Sequence, residues 1–99
     1  MEQRYQSFNE FYPFYLSQHQ HPVCRQLHFI GSALILLILA YSLYTQQFIW
    51  LISLPIIGYG FAWVGHFIFE KNRPATFTYP LWSLMGDWKM FWQILTRQL

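Results

Sequence analysis

From Gln26 to Phe69 the chain carries no Asp, Glu, Lys or Arg, a run of 44 residues in a protein of 99. A membrane-spanning helix needs about 20 predominantly apolar residues, so the run is long enough for two. A soluble fold would have to bury the run against a core that the other 55 residues are too few to supply.

Thr45-Gln-Gln47 divides the run as a short uncharged turn. Pro22 disfavours helical geometry at His21 and suits the first position of a helix. The first span is therefore read over 22–45 and the second over 48–70. Pro55, Gly58 and Gly60 are tolerated in a membrane helix and can bend it. Ahead of the spans, Ser7-Phe-Asn-Glu10 fits a capping box and predicts a helix over 8–20. Pro13 should kink that helix or delay its start. Its aromatic residues Phe8, Phe11, Tyr12, Phe14 and Tyr15 suit a membrane interface, or a face packed on the rest of the protein. Pro80 opens a last helix over 80–97, in which Leu81, Leu84, Met85, Trp88, Phe91, Trp92 and Leu95 follow helical spacing. Ser83, Lys89, Gln93 and Arg97 fall off that stripe. The expected fold is a single all-α membrane domain over 1–99: a two-span antiparallel transmembrane hairpin flanked by two amphipathic interfacial helices.

Charge sets the expected orientation. Arg4, Arg25, Lys71, Arg73, Lys89 and Arg97 all lie outside the hairpin turn, which has no cation. The positive-inside rule then puts both termini in the cytoplasm, in the inner membrane of a bacterium or the endoplasmic reticulum of a eukaryote. A net charge of +2 with no basic stripe gives no footprint for nucleic acid. The single cysteine, Cys24, excludes an internal disulfide and a cysteine-rich zinc site. The first 20 residues lack the apolar region of a cleavable signal peptide.

Within this frame the histidines converge. His28 stands 18 residues before Gln46 and His66 stands 20 after it. In an antiparallel pair of helices those separations are about 27 and 30 Å, so the two imidazoles arrive at one level. Gly31 and Ser32 on one span, and Gly58, Ala62 and Gly65 on the other, allow close approach beside them. Glu70 is four residues from His66 and shares its helical face. His19 and His21 precede His28 on the same side. They are about 200° apart on a helix, so at most one can ligate from it. His19 is the choice, on a face the first helix can turn inward, with His21 a turn residue. The candidate metal ligands are thus His19, His28, His66 and Glu70. Histidines with a carboxylate suit Fe(II), and zinc accepts the same set.

His19-x-x-Pro22-x-x-Arg25-x-x-His28-x-x-Gly31, with Gly65-His66-Phe-Ile-Phe-Glu70-Lys-Asn-Arg-Pro74-Ala75, resembles the small membrane proteins related to fungal 2-hydroxy fatty acid dioxygenase. Ser83-Leu-Met-Gly-Asp87 is similar to that family's C-terminal segment. The resemblance implies a multi-pass membrane enzyme that shortens a 2-hydroxy fatty acid by one carbon, using O₂ and Fe(II), in fatty acid α-oxidation. It implies His19, His28 and His66 as the site histidines, with Glu70 either a ligand or a support for one of them. Arg25, one turn from His28, is then either a clamp for the substrate carboxylate or a headgroup anchor. Asp87, at the edge of the apolar stripe, either reaches the site or caps the polar face, and the acyl chain lies between the spans and the N-terminal helix. Two other readings fit the residues: a non-catalytic membrane module that binds lipid or a partner, and a membrane haem protein with His28 and His66 as axial ligands.

Overall fold

The computed structural model describes residues 5–99, which leaves Arg4 outside the described residues. Among these residues the chain forms four α-helices and no strand. Helix α1 (Phe8–Ser17) starts where Ser7 Oγ accepts the Glu10 amide at 3.2 Å. Pro13 lies inside α1 and does not delay its start. The helix ends at Ser17, so His19 falls beyond it rather than on it. His21 caps the next helix, α2 (Pro22–Thr45): its Nδ1 accepts the Val23 amide at 3.1 Å, and Pro22 takes the first helical position. Gln46, at φ 58°, closes α2 in the left-handed region. Ser42 Oγ donates to the Gln47 carbonyl at 3.1 Å and ties the turn back to α2.

The second apolar segment is helical throughout but wound in three ways. A 3₁₀ turn (Phe48–Ile52) leads into α3 (Ser53–Val64), which continues as a π-helical turn (Gly65–Glu70). α3 lies along α2. Small residues bring the two together: a Cβ on Gly31 would stand 3.0 Å from Phe61, one on Gly58 2.9 Å from Ile35, and one on Gly65 2.9 Å from Cys24 Sγ. Tyr41 and Trp50 meet edge to face near the turn. These partners run in opposite order along the chain. Pro22–Thr45 and Phe48–Glu70 are each long and apolar enough to cross a membrane. Leu37, Ile49, Ile52, Ile56 and Ile68 on them are all more than half exposed.

The apolar core lies elsewhere. It joins Phe11, Tyr12 and Tyr15 of α1 to Ala75, Tyr79 and Met90, the last on α4 (Pro80–Leu95). The aromatic residues of α1 are thus largely core, packed on α4. α4 is turned opposite to a soluble amphipathic helix. Ser83, Gly86 and Met90 face inward, while Leu81, Leu84, Trp92 and Leu95 of the apolar stripe are more than half exposed. Its polar residues find their partners inside: Gln93 Oε1 accepts the Tyr12 hydroxyl at 2.5 Å, and the Lys89 ammonium sits 4.4 Å from the Tyr12 ring centroid. Where apolar surface gains little by being hidden, the need to pair polar groups sets which face turns inward.

Candidate metal centre

Three segments meet at the end of α2 nearest its N-terminus. His19 comes from the link between α1 and α2, His28 from the second turn of α2, and His66 from the π turn. They are 1%, 6% and 2% exposed. One ring nitrogen from each lies within 4.8 Å of the others. The rings stand nearly perpendicular to one another, at 85°, 79° and 89°.

Each imidazole is held through Nδ1. His19 Nδ1 meets the Tyr15 carbonyl at 2.6 Å, and His28 Nδ1 meets the Cys24 carbonyl at 2.9 Å. His66 Nδ1 meets Asn72 Oδ1 at 2.7 Å. Asn72 Nδ2 donates to the Gln18 carbonyl and to Gln18 Oε1, both at 3.1 Å, which fixes the amide with its oxygen toward His66. An oxygen acceptor at every Nδ1 puts the proton there and leaves Nε2 as a bare lone pair. His19 Nε2 and His28 Nε2 are 3.2 Å apart. Two lone pairs at that distance repel, whereas two nitrogens bound to one ion at about 2.0–2.1 Å stand roughly 3.0–3.4 Å apart. The donor set therefore fits a metal. Burial, followed by the nearby His28 and His66, holds the His19 imidazole well below the usual histidine range, so it stays neutral and able to ligate. The cavity beside the three rings is about 20 Å³, room for an ion or a water and far too little for a haem.

The remaining residues singled out from sequence stand around this group. Glu70 is not among the converging ligand atoms: its Oε2 accepts the His21 amide at 2.5 Å. Arg25 Nε donates to the His19 carbonyl at 2.5 Å, so this nitrogen holds the backbone of a site histidine. The His21 ring caps α2 and packs near Phe69. Asp87 does reach the site, lining the small cavity with all three histidines. It accepts a hydrogen bond from the Tyr15 hydroxyl, and burial pushes its carboxyl up to about 6. Tyr15 in turn stacks on His19, with centroids 4.0 Å apart.

A larger cavity of about 270 Å³ adjoins the first and shares His28, Tyr59, Ala62 and Asp87 with it. It extends along Ser32 and Ile35 of α2, Leu54 and Gly58 of α3, and Leu84 and Trp88 of α4. The apolar space beside the centre is thus walled by α4, where the sequence reading put the N-terminal helix. That reading also gave no site role to Asn72, Tyr15 or Ser83. Tyr15 had a signal in its position four residues before His19. Asn72 lies in a polar loop, and nothing in the spacing marks it as the His66 acceptor.

Fold and site together define a small all-helical protein with a buried three-imidazole centre and an apolar cavity beside it. The chain matches the family described as 2-hydroxy-palmitic acid dioxygenase Mpo1-like over residues 5–99, and it belongs to that family. No curated protein and no solved structure matches it.

Proposed function

We propose that the protein is a membrane-bound Fe(II)-dependent dioxygenase that shortens 2-hydroxy fatty acids by one carbon, with His19, His28 and His66 holding the metal. The observation that carries this is the set of Nε2 lone pairs turned together by three separately anchored Nδ1 groups. Family membership supports the substrate class. Iron is favoured over zinc because the reaction is an oxidation and zinc has no redox chemistry. In the overall balance a 2-hydroxy acid and O₂ give the acid one carbon shorter, CO₂ and water. The C1–C2 bond breaks, C1 leaves as CO₂ and C2 becomes the new carboxyl. When bound, Fe(II) would supply the electrons that activate O₂ and a positive charge for the substrate's oxygens.

The chain's own residues have separable tasks. The cavity between α2, α3 and α4 takes the first part of the acyl chain and keeps water from it. Tyr15 holds one oxygen of Asp87, and the other is left to accept the proton of the substrate's 2-hydroxyl. Glu70 and Arg25 act as positioning groups, bracing the His19–His21 link from its two sides. In the membrane, α2 and the Phe48–Glu70 segment form the spanning hairpin, with both termini cytoplasmic and α1 and α4 at the interface. The exposed apolar side chains of both spans support this placement.

The test is mass spectrometry of 2-hydroxyhexadecanoic acid incubated with purified protein and Fe(II) under air, with bound iron measured alongside. Pentadecanoic acid should appear. His19→Ala, His28→Ala and His66→Ala should lose iron and product by at least about 10–100-fold, while His21→Ala keeps both. Intact substrate with wild-type protein, or full iron in the three variants, would refute the proposal.

A further inference from the structure

Ser83 Oγ is buried without a hydrogen-bond partner, the only side-chain polar atom in that state among the described residues. The residue is 4% exposed, on the inward face of α4. A hydroxyl in or just after a helix ordinarily donates to a carbonyl about one turn back. Ser17, Thr45, Ser53 and Thr96 do so here, to Phe14, Tyr41, Trp50 and Trp92. Ser83 departs from that habit. It lines the small cavity beside the three histidines. Asp87, one turn further along the same helix, lines that cavity too, with one oxygen occupied by Tyr15. A donor held in reserve one turn from a proton acceptor matches a ligand whose adjacent carbons carry an anionic acceptor and a hydroxyl donor. That is the head group of a 2-hydroxy acid.

We infer that Ser83 is a specificity-determining residue whose Oγ–H donates to the carboxylate of the bound 2-hydroxy acid, while Asp87 takes the 2-hydroxyl. The inference rests on the proposed function and names a residue that reads the substrate rather than the metal. Leaving a buried hydroxyl unpaired costs stability, and a hydrogen bond to a charged group recovers it on binding. Ser83 thus trades stability of the free protein for affinity.

The experiment compares wild type, Ser83→Ala and Ser83→Thr as iron-loaded protein in detergent. It reads bound iron, thermal midpoint without substrate, equilibrium binding of 2-hydroxyhexadecanoic acid, and binding of hexadecane-1,2-diol, which lacks the carboxylate. For Ser83→Ala, iron should be unchanged and the midpoint should rise. Its affinity for the acid should fall about tenfold or more, with little change for the diol. Ser83→Thr keeps the hydroxyl and should recover affinity for the acid. A lowered midpoint together with unchanged affinity would make Ser83 a structural residue and overturn the inference. Equal losses for acid and diol would overturn the carboxylate assignment. A wild type that binds no 2-hydroxy acid would refute the proposed function itself, and this inference with it.

Discussion

Gly86→Ala tests whether the packing of α1 on α4 holds the metal centre in place. A Cβ built on Gly86 would stand 2.9, 3.0 and 3.1 Å from three ring atoms of Tyr15. Carbon atoms at ease are about 3.5–4.0 Å apart, so the ring must retreat by about half an ångström or more. It has no flexible end to swing aside, and its other face is stacked on His19 at 4.0 Å. Overpacking of this kind costs about 1–3 kcal/mol, offset by up to about 1 kcal/mol from replacing a helical glycine. Gly60 provides the reference, because a Cβ there meets nothing within 4 Å. Gly60→Ala should be neutral or stabilising, and Gly86→Ala less stable than it by about 1–3 kcal/mol. Displacing Tyr15 also shifts the ring stacked on it, so iron affinity should fall about 10–100-fold in Gly86→Ala alone. Thermal unfolding in detergent and elemental analysis of both variants read the two effects. Equal stability and equal iron in the two would refute the reasoning.

Asn72→Ala removes the acceptor of His66 Nδ1 and should lower iron affinity about 10–100-fold, while Asn72→Asp keeps an acceptor and should restore most of it, as measured by competition with a chelator. Asp87 ionises at about 6 when folded against a usual 3.8, so the folded state keeps a proton that the unfolded chain has shed. Stability should therefore fall as pH rises from about 4 through about 6 and then level off, a span worth about 3 kcal/mol, and Asp87→Asn should flatten that slope in thermal unfolding. For topology, reporter fusions after Leu99 and within the Thr45–Gln47 turn should report opposite sides of the membrane, and the same side for both would end the hairpin reading.

Much of the site could be read from residue spacing because helices turn distance along the chain into height. Counting from Gln46 set His28 level with His66, and their ring centroids are 5.1 Å apart. The choice of His19 over His21 came from angles on a helix, yet His19 lies beyond the end of α1. It is held by its own bond to Tyr15 and by Arg25. The orientation of α4 was not legible. Its apolar stripe is as regular as that of a soluble helix, but which face turns inward depends on the medium around it, and Ser83 and Asp87 went in. Nor could spacing foresee Glu70 on the His21 amide or Asn72 between His66 and Gln18. Those contacts depend on how a loop folds back, and loops carry no periodicity.

The π turn at Gly65–Glu70 makes the length of this segment a discrete variable. Such a turn holds one residue more than the α-helix that would replace it. Removing a single residue there would let the backbone snap into the commoner winding. Everything after it would swing by about 100° around the helix axis. Glu70 and Asn72 would leave the His21 amide and Gln18 together, and His66 would lose the oxygen that orients it. Side-chain substitutions in this segment grade the strength of the centre. A deletion acts as a ratchet, with one position that builds the centre and a neighbouring one that does not.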